Sequence, residues 1–115
     1  MSLASDSTRP AILAQNMDPP IFLHGFPTLL HIKDSITGIE SYVYTFPGFI
    51  GLCGMNANIA ITCNGISMLK SQKSGIPVAF VVRSILECKN EEEAFLKIQK
   101  MVRVRNIVNF VSVTS

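Results

Sequence analysis

Residues 51–65 read GLCGMNANIAITCNG. Leu52, Cys53 and Met55 lead into Asn56-Ala57-Asn58, and Ile59, Ala60 and Ile61 lead out. Two short apolar runs joined by an asparagine-rich turn predict a pair of adjacent strands. Asn56 and Asn58 suit such a turn because asparagine tolerates the positive φ that tight turns require. Cys53 and Cys63 both lie on this strip, which raises the question of whether either thiol is a nucleophile.

Outward from the strip, the chain supplies the rest of a sheet. Residues 40–46, ESYVYTF, alternate and are rich in β-formers. Residues 28–34, TLLHIKD, form their predicted hairpin partner across the turn SITG. Pro47 and Gly48 break the run between ESYVYTF and the cysteine-bearing strip. Further upstream, IFLHGFP reads as a loop. AILAQNMD, residues 11–18, reads as a short strand whose end presents Asn16 and Asp18. Pro19 and Pro20 stop it, since proline cannot donate to a ladder. Residues 1–10 are small and polar and are expected to be a disordered arm or a cloning remnant, leaving residues 11–115 as a single domain.

The pattern changes after Gly75. Pro77 suits a first helical turn, and Val78, Val81, Val82, Ile85 and Leu86 recur at helical spacing. Asn90 followed by Glu93 is a capping-box signature. Ala94, Phe95, Ile98, Met101 and Val102 then form one apolar stripe. NIVNFVSV, residues 106–113, reads as a closing strand. Strands, two helices and a strand make an α+β fold: an antiparallel sheet with two helices on one face.

Composition narrows the function classes. The chain has 115 residues, is 48% hydrophobic and only 16% charged, and has a mean hydropathy of +0.36. It is greasy for one soluble domain, so an apolar sheet face is expected to seek cover, by a second copy in a homodimer or by the remainder of a larger fold. The longest apolar runs fall short of the roughly 20 residues of a spanning helix. No membrane partner is expected, and without a signal peptide a cytoplasmic home is. Net charge is +2. The basic stretch KIQKMVRVR follows three glutamates and holds no aromatic residue, which argues against nucleic acid. Cys53, Cys63 and Cys88 form no CxxC and pair with no histidine at zinc spacing, so neither metal nor disulfide framework is expected.

Three blocks carry a resemblance: ILAQNMD at 12–18, PGFIGLCGMNANIAITCNG at 47–65 and GIPVAFVVRSILECKNEEEAFLKI at 75–98. In this order they resemble the acyl-coenzyme A:6-aminopenicillanic acid (isopenicillin N) acyltransferase family. That family is related to the choloylglycine hydrolases and penicillin V acylases among the N-terminal nucleophile hydrolases. The resemblance implies half of a four-layer αββα sandwich. It also implies an enzyme acting on linear amides or acyl-CoA without metal or cofactor. Such enzymes cut themselves before a cysteine, whose thiol becomes the nucleophile and whose α-amino group is its base.

Position by position, the resemblance assigns catalytic roles to Asp18, Asn64 and Asn109. Asp18 orients the nucleophile's amino group. Asn64 supplies a backbone N–H to the oxyanion hole, and the Asn109 side chain donates to the same hole. Gln15 stands where bile-salt relatives carry arginine, which argues against bile-salt hydrolysis. The expected Cys-Thr or Cys-Ser before Ala11 is not in MSLASDSTRP. The chain is therefore expected to be an enzyme fragment or truncated paralogue, inactive alone.

Each residue also has a plainer role. The cysteines suit packing, because free cysteine is among the most buried residue types. Asp18 before Pro19 and Asn64 before Gly65 suit turns. Arg83 is expected to be a buried cation paired with a carboxylate, and His24 and His31 to do no special chemistry. The rival function is a non-catalytic α+β oligomerisation or ligand-binding domain whose sheet face is the working surface.

Overall fold

The computed structural model describes residues 2–3, 12–64 and 75–102. A two-stranded antiparallel ribbon pairs β1 (Ser2–Leu3) with β2 (Ile12–Leu13). The main sheet contains β3 (Thr28–Lys33), β4 (Glu40–Thr45), β5 (Cys53–Asn56) and β6 (Ala60–Ile61), in that order and antiparallel throughout. Helices α1 (Val78–Ile85) and α2 (Glu91–Val102) follow. This is the α+β arrangement read from the sequence. The expected closing strand at 106–113 lies outside the described residues.

Register divides the sheet into two unlike faces. Leu30, Val43, Gly54 and Ile61 stand opposite one another across the four strands, with Ser41 opposite Asn56 beside them. Both helices pack on this inner face. Val43, Ile59 and Ile61 share one core with Val81, Val82, Ile85, Leu86, Cys88 and Ala94. Each large aliphatic residue there contributes roughly 1.5–3 kcal/mol through burial. The alternate positions, Leu29, His31, Tyr42, Met55 and Ala60, form the outer face. His31 and Tyr42 stack there with ring centroids 4.6 Å apart.

Local chemistry sets the ends of these elements. Asp34 closes the β3–β4 hairpin by accepting from the Ile36 N–H at 2.8 Å. That bond, with the Thr37 hydroxyl, holds the Asp34 carboxyl below its ordinary range. Gly38 adopts φ +73°, which a side chain would oppose. At α2 the N-cap half of the expected capping box is present, the Glu93 N–H donating to Asn90 Oδ1 at 2.8 Å, while Glu93 Oε2 reaches one residue further back and accepts from the Lys89 N–H at 2.9 Å. Lys97 Nζ donates to the Ser84 carbonyl at 2.9 Å. A cation thus sits at the C-terminal end of α1, where the helix dipole favours it.

Two expectations are corrected. The Asn56-Ala57-Asn58 turn uses no positive φ; among the described residues only glycines have one. Instead, Asn56 Oδ1 accepts from the N–H groups of Asn58 and Ile59, each at 2.8 Å. The side chain closes the turn that backbone strain was expected to close. Arg83 donates from Nη1 to the Ile50 carbonyl at 3.2 Å, and among the described residues no carboxylate pairs with it. Its aliphatic stem lies against Gly51, where a Cβ would come within 3.3 Å of Arg83 Cδ.

Candidate functional site

A cavity of about 450 Å³ opens at the end of the sheet where β4 runs out. Three separate pieces of chain wall it. One is the stretch Gln15–Pro20 with Phe22 and Leu23. The second is the β4–β5 connection, through Phe46, Phe49 and Leu52. The third is Cys63–Asn64, just past β6.

Each wall has a local cause. β2 ends at Leu13, and Pro19-Pro20 prevents the following stretch from rejoining a ladder. Pro20 leads into a single 3-10 turn at Ile21–Leu23, closed by the Leu23 N–H on the Pro20 carbonyl at 2.9 Å. In the β4–β5 connection, Gly48 at φ +87° turns the chain. The Phe49 N–H then reaches the Phe46 carbonyl at 3.0 Å, and buried Thr45 Oγ1 donates to the Phe49 carbonyl at 3.0 Å. Phe46 is thereby held inward at 2% exposure, while Phe22 and Phe49 remain largely open to solvent.

Asp18 and Asn64, singled out separately in the sequence, line this one cavity. Asn109 lies outside the described residues. Gln15 lines the same cavity beside Asn64. Its Nε2 donates to the Cys63 carbonyl and to Asn64 Oδ1, the latter at 2.9 Å. The sequence marked Gln15 only as a departure from arginine and gave no sign that it bridges to Asn64. The aromatic wall was also missed; the FPGF spacing at 46–49 is its only trace.

The chain's thiols are poor nucleophiles as placed. Burial pushes the Cys63 thiol up to about 11, with nearby Cys53 adding to the shift. Burial also raises Cys53 and Cys88. All three are free. Neither histidine lines the cavity: His24 Nε2 lies 3.2 Å from the Pro19 carbonyl, and His31 is on the outer sheet face. The site therefore combines one carboxylate, Asp18, three carboxamides, Gln15, Asn16 and Asn64, and a large apolar wall. It can hold an amino group, donate hydrogen bonds to a carbonyl oxygen and shelter an apolar chain.

A model of the family described as acyl-coenzyme A:6-aminopenicillanic acid acyl-transferase matches residues 4–112. The chain belongs to this family. No curated protein and no solved structure matches it. The acyl-transferase match spans all three walls of the cavity. Among the described residues, no three His, Cys, Asp or Glu side chains converge as a metal site would, and no helix is long and apolar enough to cross a membrane.

Proposed function

We propose that this cavity is the acyl-transfer site of an N-terminal nucleophile acyl-transferase or amidohydrolase, acting on a linear, non-peptide amide or on acyl-coenzyme A. The observation that carries the reading is the meeting of Asp18 and Asn64 at one cavity, although the chain separates them by most of the sheet. The apolar wall suits the acyl chain, and the polar end suits the carbonyl being attacked. A cytoplasmic location agrees with three unpaired thiols.

The nucleophile in this reading is a terminal cysteine and none of Cys53, Cys63 or Cys88. Its thiol proton passes to its own α-amino group, which Asp18 orients. The sulfur forms a bond to the acyl carbon, and the carbonyl π pair moves onto oxygen. The Asn64 N–H stabilises that oxyanion. Collapse restores the carbonyl, breaks the bond to the amine or thiol leaving group and returns the proton to it. Water or an amine then attacks the acyl-enzyme by the reverse steps, releasing acid or new amide. On this reading residues 1–115 turn nothing over by themselves.

The test is intact-mass spectrometry of the full reading frame together with turnover of penicillin V, N-acyl amino acids and acyl-CoA. Self-cleavage before a cysteine, with turnover lost in the corresponding Cys→Ala variant, supports the proposal. Absence of both cleavage and turnover overturns it.

A second reading rests on the outer sheet face, where Leu29 is 66% and Met55 53% exposed beside the His31–Tyr42 stack. Here that face pairs with its copy in a homodimer that has no catalytic role. Light scattering decides it: a dimer that Met55→Glu converts to monomer supports the reading, and a monomeric wild type removes it.

A further inference from the structure

We infer that Gln15 is a positioning residue of this site, locking the Cys63–Asn64 peptide and the Asn64 carboxamide so that their N–H groups are presented as donors. The inference rests on the acyl-transfer reading and adds to it a residue that the reading itself leaves without a role.

The argument starts from an atom whose chemistry is fixed. The Cys63 carbonyl can only accept, so the Gln15 amide must turn Nε2 toward it. The same Nε2 faces the Asn64 side chain at 2.9 Å, so Asn64 must turn Oδ1 toward Gln15. With its oxygen engaged, the group that Asn64 has left to offer a ligand is its NH₂. One backbone carbonyl thus sets the orientation of two successive amides. The hydrogen bond to Cys63 also acts on a peptide unit whose other end is the Asn64 N–H. Polarising a peptide carbonyl strengthens the N–H of that same unit as a donor.

Gln15 carries a cost that packing alone does not explain. Its Oε1 is buried and has no hydrogen-bond partner among the described residues. A buried acceptor left unpaired costs about 1–3 kcal/mol. Methionine would fill the same volume without that cost. Turning the amide over to rescue Oε1 would set oxygen against the Cys63 carbonyl, so the orphaned atom follows from holding Asn64.

Two variants of the full reading frame test this. Gln15→Met keeps the volume and removes the donor. Gln15→Glu gives an ionised carboxylate that only accepts and a protonated acid that donates again. The expected result for Gln15→Met is a fall in kcat on the order of 100-fold with KM little changed, since donor misplacement acts on the transition state. In Gln15→Glu, kcat recovers as pH falls through the introduced carboxyl's pKa, a limb the wild type lacks. A merely structural residue gives no such pH limb. Through-hydrogen-bond NMR coupling between Gln15 Nε2 and the Cys63 carbonyl carbon reads the clamp without any activity. Wild-type turnover with an unchanged kcat in Gln15→Met, or an absent coupling, overturns the inference alone. A present coupling with no wild-type turnover overturns the acyl-transfer reading, and the role of Gln15 falls with it.

Discussion

Asn56 at the end of β5 donates from one Nδ2 to the Leu86 carbonyl at 3.0 Å and to the Cys88 carbonyl at 2.9 Å. Its Oδ1 closes the hairpin turn at the same time. One buried side chain thus ties the β5–β6 hairpin to the end of α1, where helix carbonyls lack intrahelical partners. Replacing it leaves buried acceptors and donors unpaired, so Asn56→Ala is expected to cost about 3 kcal/mol in urea unfolding. Asn56→Asp keeps the turn but sets a carboxylate against two carbonyls, and should be no better than alanine.

Gly54→Ala should also destabilise, for want of space rather than backbone freedom. A Cβ there would stand 2.5 Å from the Tyr42 carbonyl oxygen, 2.8 Å from Leu86 Cδ1 and 3.2 Å from Val43 Cα. Two of those neighbours are sheet backbone and cannot rotate aside. A loss of about 3 kcal/mol, at the upper end of overpacking costs, is expected in thermal melts.

Asp18→Asn should abolish most turnover of the full reading frame while leaving the thermal midpoint unchanged. Asp18 is exposed at the cavity rim, so folding does not depend on it. A drop in kcat of roughly 100-fold is expected if its charge orients the nucleophile's amino group. Unchanged kcat would remove Asp18 from the mechanism.

Cys63 should resist alkylation. With its thiol at about 11 against an ordinary 9.0, the thiolate fraction at pH 8 falls by about 100-fold, partly offset by the greater intrinsic reactivity of a more basic sulfur. Iodoacetamide labelling followed by peptide mass spectrometry should find Cys63 on the order of tenfold slower than a free cysteine. Fast labelling would restore it as a candidate nucleophile.

Glu40 links pH to stability on the outer face. Lys33 at 2.6 Å and His31 at 2.9 Å hold its carboxyl below the ordinary value, the Lys33 hydrogen bond being the larger cause. A lowered carboxyl contributes stability above 4.5, lost as pH falls through its folded pKa. Glu40 also raises Lys33, whose contribution is present below 10.5 and lost as pH rises through the raised value. All three groups are solvent-exposed, so the effect should be small and reduced by salt. Thermal midpoints of wild type and Glu40→Gln should differ at pH 7 and converge as pH falls through the lowered carboxyl pKa.

The sequence by itself determined the main sheet strands and the two helices, though not the Ser2–Leu3 strand, which falls in a stretch expected to be a disordered arm. Period-two alternation marked β3 and β4, helical spacing marked α1 and α2, and Asn90 with Glu93 marked the α2 cap. These signals are local: each lies within one turn or one strand, so adjacent residues suffice to specify them. The two candidates Asp18 and Asn64 were also legible, but as separate points on the chain. Only the tertiary structure brought them to one cavity, gave Asn56 the end of α1 as its partner, turned Arg83 to the Ile50 carbonyl and set Gln15 against Asn64. Those pairings join residues distant in sequence, and their geometry depends on strand register and on which face the helices cover. Residue spacing holds no record of either until the sheet is assembled.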